Sequence, residues 1–278
     1  MSDAPCIPLL RGRASHFNTR LCVGLDPVME RLPEALDGVP DPILTFCRVV
    51  VDATAEVALA YKPNAAFFEA DGAEGWERLQ ALISYIPAEI PVILDAKRGD
   101  IGSSSQGYAR MAFEAVGADA VTVNPYMGRD SLQPFLDYEE RGVFILAATS
   151  NTGAEDFQAL EVDGQPLPVH VARAARRWNE HGNIGLVAGA TRPGMLAVLR
   201  REAPDLTFLV PGVGAQGGDV KRVMAAAVDE EGEGVIVTAS RSILYTDDPD
   251  FERGSARAAR KMVEEINRAR EEALDARS

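Results

Sequence analysis

Lysine is scarce in this 278-residue chain. There are only four, Lys62, Lys97, Lys221 and Lys261, and arginine supplies the other long cationic side chains. Histidine is scarcer still. His16, His170 and His181 all lie away from the ends of the apolar runs, so histidine acid–base chemistry is not indicated. The three cysteines, Cys6, Cys22 and Cys47, are odd in number and lack metal-ligand spacing. That argues against a disulfide framework and makes a reducing cytoplasm the expected compartment. No cluster of histidines or carboxylates has convincing metal spacing either, so no metal is expected. Apolar runs stay short of the roughly 20 residues that span a bilayer. The N-terminal stretch MSDAPCIPLLRGRASHF lacks the apolar core of a signal peptide. Basic excess is missing too: the net charge of -14 argues against nucleic acid or an acidic membrane as partner. A phosphorylated small ligand is still compatible, because a few local cations can dominate a pocket.

What is present is a composition able to bury a full core, with 46% hydrophobic and 25% charged residues. Eight short runs rich in Val, Ile and Leu end at Asp26, Asn64, Lys97, Tyr126, Ser150, Thr191, Gly212 and Ser242. Apolar runs without strict alternation read as parallel strands covered on both faces. Helical patterns lie between them, over 43–59, 76–86, 105–116, 169–181, 192–201, 219–230 and 251–274. Such alternation predicts an α/β protein, a (β/α)8 TIM barrel, ahead of an open doubly wound sheet. The expected organisation is a single domain over 1–278, with 1–15 as an N-terminal extension. The longer connection EDFQALEVDGQPLP, residues 155–168, reads either as a lid or as a solvated excursion.

Barrels of this kind build their sites at the carboxyl ends of the strands. Polar residues gather there: Asp26, Lys62 and Asn64, Asp95 and Lys97, Asn124, Ser150 and Asn151, Gln216, and Arg241. The densest group is LDAKRGD, residues 94–100. Asp95 and Lys97 are two apart on a predicted strand, so both point to one side. A lysine between carboxylates stays protonated, which suits it to donate a proton or stabilise negative charge rather than to form a Schiff base. A second group is PGVGAQGGD, residues 211–219, followed by SRS at 240–242. Glycine-rich backbone before a helix, together with Arg241 at the adjacent strand end, reads as a phosphate site.

These segments resemble orotidine 5'-phosphate decarboxylases, especially the longer bacterial and archaeal branch. LDAKRGDIGSSSQGYA is similar to the family's signature, and CVGLDP, YKPN, TSNTG, PGVGAQGGD and ASRSILY follow in the family's order. The resemblance implies decarboxylation of orotidine 5'-phosphate (OMP) to uridine 5'-phosphate (UMP) without metal or organic cofactor, in pyrimidine biosynthesis. It implies a catalytic array of Lys62, Asp95, Lys97 and Asp100. Asp100 would reach into the neighbouring subunit's site, which implies a homodimer with composite sites. Asp26 and Lys62 would contact ribose hydroxyls, Ser104 would make a cross-subunit ribose contact, Ser150 would bind the pyrimidine amide edge, and Gln216 and Arg241 would hold phosphate. Two positions depart from the pattern: Ser104 stands where relatives often carry threonine, and Ser240 where many have glycine. Two other readings stay open. One is a magnesium-dependent 3-keto-gulonate-phosphate decarboxylase, for which Glu69 is the nearest extra carboxylate. The other is a catalytically silent nucleotide-binding barrel.

Overall fold

The computed structural model describes residues 5–214 and 218–277. Its strands are β1 (Leu21–Leu25), β2 (Ala60–Pro63), β3 (Ile93–Arg98), β4 (Ala120–Val123), β5 (Gly142–Ala148), β6 (Ile184–Ala188), β7 (Thr207–Val210) and β8 (Val235–Ala239). They pair in parallel in the order β2-β1-β8-β7-β6-β5-β4-β3. The two ends of that sheet also meet. Tyr61 N–H donates to the Pro91 carbonyl at 3.0 Å, and Ala65 N–H to the Asp95 carbonyl at 3.2 Å. Closure of the ring is what separates the (β/α)8 barrel from the open-sheet alternative.

The two-residue period of a strand explains how the barrel can be greasy below and charged above. Cys22, Ala60, Ile93, Ala120, Phe144, Leu209 and Ile236 belong to one apolar layer. Two residues further along four of these strands come Lys62, Asp95, Thr122 and Thr238, which line the upper cavity. Gly185 makes room for the largest of the lower side chains. A Cβ there would stand 2.5 Å from Cε1 of Phe144.

Helix Cys6–Phe17 packs into the same lower layer through Cys6, Ile7, Leu10 and Ala14. These positions lie on one face at helical spacing. The segment expected as an extension therefore supplies most of a helix that plugs the amino-terminal mouth of the barrel. The outer helices include Pro42–Thr54, Gly72–Tyr85, Gly102–Arg110, Leu167–Trp178, Pro193–Glu202, Val220–Ala227 and Phe251–Asp275, matching the seven sequence patterns to within a few residues. Asp41, Asp219 and Asp250 cap three of them by accepting from backbone N–H groups of the first turn. Helix Arg129–Leu136 had no counterpart in the sequence reading. It is only eight residues long and contains Pro134, so its pattern is short and interrupted.

The 155–168 connection is ordered. It forms helix Glu155–Gln158, then a two-stranded hairpin of Glu161–Val162 with Gln165–Pro166. The turn residues Asp163 and Gly164 both have positive φ, 50° and 70°. Asp-Gly is a favoured pair for such a tight hairpin turn. Among the described residues no helix is long and apolar enough to cross a membrane.

Candidate active site

A cavity of about 380 Å³ opens at the carboxyl ends of the strands and is lined by Asp26, Lys62, Asp95, Lys97, Ser150 and Arg241, with Asn64, Thr122, Thr149 and Asn151 between them. At its floor Asp95 holds two lysines. Lys62 Nζ lies 2.7 Å from Asp95 Oδ2, and Lys97 Nζ lies 2.5 Å from Asp95 Oδ1. Burial opposes the charge on Lys62, but Asp95 and then Asp26 outweigh it and hold its ammonium above the ordinary lysine range. Burial likewise opposes the Asp95 carboxylate, and Lys62 and Lys97 hold its pKa well below the usual carboxylate range. Lys62 and Asp95 are therefore both charged at neutral pH. Lys62 is buried, whereas the Lys97 side chain is 47% exposed and faces the open cavity. Both line the cavity, and Lys97 is the more open of the two to an incoming ligand.

The backbone that delivers Lys97 is not a regular strand. Lys97 has φ 48°, in the left-handed region that costs a non-glycine residue about 1–2 kcal/mol. The register slips at the same place: Leu94 pairs with Val121 and Arg98 with Val123, so four residues of β3 span two of β4. Strict alternation predicts that Asp95 and Lys97 share a side. They do share the cavity, but a bulge and a left-handed residue bring Lys97 there. Thr122 fixes this turn. Its hydroxyl donates to Asp95 Oδ1 at 2.9 Å and accepts from Lys97 N–H at 2.9 Å. Sequence reasoning missed Thr122. The available signal was a hydroxyl inside an apolar run, at the same strand level as Asp95.

Asp26 ends β1 beside the array. Its Oδ2 accepts from the Ser240 hydroxyl at 2.6 Å, while Oδ1 is buried with no hydrogen-bond partner among the described residues. An unpaired buried carboxylate oxygen on a cavity wall suits a ligand hydroxyl. Arg241 follows at the end of β8, with Pro211, Gly212 and Val213 after β7. Gln216 falls outside the described residues. At the helix start at Val220, Asp219 Oδ1 accepts from Lys221 and Arg222 N–H at 2.8 and 3.3 Å, so these two amides are already paired. Among the described residues, Arg241 is the cation that lines that end of the cavity.

Asp100 and Ser104 are not in the cavity lining of their own chain. Asp100 Oδ1 accepts from Ile101 N–H at 2.8 Å, and Ser104 is exposed on helix Gly102–Arg110. Exposed Ile101, Tyr126 and Met127 occupy the same rim. Glu69 is also outside the cavity and pairs with Arg98, so it does not supply the additional carboxylate that the magnesium-dependent reading needs.

Comparison with known proteins agrees with this geometry. The family described as Orotidine 5'-phosphate decarboxylase / HUMPS matches residues 19–253. Orotidine 5'-phosphate decarboxylase of Roseiflexus castenholzii is 50% identical over 254 residues, covering 90% of this chain and 93% of that one. The enzyme of the same name from Janthinobacterium is 49% identical over 255 residues, covering 90% and 93%. The solved structure of Leishmania donovani OMP decarboxylase superposes with a TM-score of 0.85 at 44% identity, covering 96% of this chain and 99% of that one. With a barrel of this closure and a lysine–aspartate–lysine floor beneath its cavity, the chain belongs to the orotidine 5'-phosphate decarboxylase / HUMPS family.

Proposed function

We propose that this chain is an orotidine 5'-phosphate decarboxylase in which Lys97 carries the central step. The observation that supports this most directly is the Lys62–Asp95–Lys97 array, with Lys97 the more exposed of its two cavity-lining lysines. The C6–carboxylate bond of OMP breaks, carbon dioxide leaves, and the bonding pair stays on C6. The Lys97 ammonium stabilises that pair and then gives C6 a proton, forming UMP, after which solvent reprotonates Lys97. Asp95 lies near the departing carboxylate, pairs with both lysines and holds Lys62 charged.

Magnitudes show why one lysine is not enough. A charge pair at about 4 Å and an effective dielectric near 20 is worth about 4 kcal/mol. Enzymes lower barriers by about 8–23 kcal/mol. Binding of the remote parts of the substrate supplies more, through exclusion of water and orientation of C6 over Lys97. Asp26, with its unpaired Oδ1, holds a ribose hydroxyl together with Lys62. Ser150 reads the amide edge of the pyrimidine, and Arg241 holds the phosphate with Gln216. Asp100 and Ser104 serve the site of a second subunit, which makes the working unit a homodimer. Their position outside their own cavity, beside exposed Ile101, Tyr126 and Met127, supports that arrangement.

The experiment is ultraviolet absorbance of purified protein mixed with OMP in the presence of chelator. Conversion to UMP at catalytic enzyme concentration is the expected result. No conversion and no UMP binding points to the sugar-phosphate decarboxylases of the family, and tight UMP binding without turnover points to a silent binding barrel.

A further inference from the structure

The ordered excursion after β5 has no role in the chemistry above, yet one of its side chains reaches back to the cavity wall. Gln158 ends the short helix Glu155–Gln158, and its side-chain amide grips Thr149 twice. Gln158 Oε1 accepts from Thr149 N–H at 2.9 Å, and Gln158 Nε2 donates to Thr149 Oγ1 at 2.8 Å. The Thr149 hydroxyl passes the contact on by donating to Asn151 Oδ1 at 2.6 Å. Thr149, Ser150 and Asn151 all line the cavity; Gln158 does not. Ser150 is thus flanked by two residues that Gln158 orders, directly or through one hydroxyl. From the other side the β6 end presses on it: a Cβ at Gly189 would stand 2.8 Å from Ser150 N.

We infer that Gln158 is a positioning residue for pyrimidine recognition, and that the 155–168 excursion serves as a buttress that sets Ser150 against the base. The inference rests on the assignment of Ser150 to the pyrimidine amide edge. Its physical basis is that a side-chain amide bonding both a backbone N–H and a hydroxyl of one residue fixes that residue's backbone and its rotamer together. A loop carrying a base-reading hydroxyl loses affinity when it must be ordered at the moment of binding. Phosphate and ribose contacts come from other strand ends, at Arg241 and Asp26, and do not pass through this clamp.

That separation supplies the test. UMP and ribose 5-phosphate are compared as competitive inhibitors of OMP turnover, in the wild type and in Gln158→Ala. UMP carries the base and ribose 5-phosphate does not. The variant is expected to bind UMP roughly tenfold more weakly, as for the loss of two neutral hydrogen bonds, with ribose 5-phosphate affinity unchanged. Gln158→Glu keeps the acceptor for Thr149 N–H but loses the donor, and should fall between wild type and alanine. Parallel weakening of both ligands would mean general loosening of the fold and overturn the inference, as would no change in either. A wild-type protein that binds UMP no better than ribose 5-phosphate would instead overturn the decarboxylase reading on which the inference rests.

Discussion

Ser240 ties the end of β8 to the end of β1: its hydroxyl donates to Asp26 Oδ2 at 2.6 Å. The contact depends on a glycine next door, since a Cβ on Gly24 would stand 2.7 Å from Ser240 Cβ. Ser240 therefore holds Asp26 through Oδ2, while Oδ1 has no hydrogen-bond partner among the described residues. Ser240→Gly should weaken UMP binding by roughly 3- to 10-fold, in line with one lost hydrogen bond to a partly solvated carboxylate. Titration calorimetry with UMP reads this directly. Unchanged affinity would show that Asp26 holds its place without the serine.

Thr122 bridges Lys97 and Asp95, accepting from Lys97 N–H while donating to Asp95 Oδ1. Thr122→Val keeps the shape but leaves the Lys97 N–H without its acceptor, a loss of about 1–3 kcal/mol. Because that N–H belongs to the left-handed residue that aims the ammonium, the cost should appear in kcat more than in KM. The expected loss in kcat is roughly 5- to 150-fold. Thr122→Ser restores the hydroxyl and should recover most of the rate. A valine variant with normal kcat would release Thr122 from this role.

The same two residues show how far the sequence could be read. Periodic apolar runs disclosed the barrel, because each strand must be apolar on both faces to sit between the helices and the barrel interior. The strand ends disclosed Asp26, Lys62, Asp95, Lys97, Ser150 and Arg241, which the fold gathers around one cavity. The left-handed backbone at Lys97 left no trace, since it depends on a register slip against β4 and on a hydroxyl 25 residues away. Helix Arg129–Leu136 was hidden by its length and by Pro134. The role of Cys6–Phe17 was hidden because an amphipathic N-terminal helix looks alike whether it plugs a barrel or lies outside it. The Asp219 cap was also not legible, since glycines before a helix do not reveal that the Lys221 and Arg222 amides are paired with the carboxylate of Asp219.

The buried array also sets a pH dependence. Asp95 has a folded-state pKa below its unfolded value, because Lys62 and Lys97 overcome the opposing effect of burial. Its contribution to stability is therefore present above the ordinary aspartate pKa, about 3.9, and is lost as pH falls towards the folded value. Lys62 is displaced upward, with burial again opposed and outweighed by Asp95 and Asp26. Its contribution is present below the ordinary lysine pKa, about 10.4, and is lost only as pH rises through the higher folded value. Between about pH 4 and 10 the array should leave stability flat. Asp95→Asn removes the acid-side dependence, so the wild type's advantage over this variant should shrink as pH drops below about 4. Urea unfolding at pH 3, 4, 6 and 8 measures it. A constant difference down to the lowest pH would mean that Asp95 does not gain its stability from the lysines.

Asp100 offers the sharpest test of the composite site, because it lies outside the cavity of its own chain while Lys97 lies inside. On the proposed mechanism, Lys97→Ala removes the proton donor together with a charge worth about 4 kcal/mol, so activity should fall by at least about a thousandfold. Asp100→Asn should also be severely impaired, through the partner's site rather than its own. If each site draws Lys97 from one subunit and Asp100 from the other, a hybrid dimer concentrates both lesions in one site and leaves the second intact. Random exchange between equal amounts of the two variants then makes half the dimers hybrids, so about a quarter of all sites are restored. Mixing the two inactive proteins, with dilution and reconcentration to allow exchange, should therefore regenerate activity that neither has alone. Mass spectrometry of differently tagged subunits checks that hybrids have formed. If hybrids form and no activity returns, both residues act within one chain, and the loop carrying Asp100 must turn back into its own cavity.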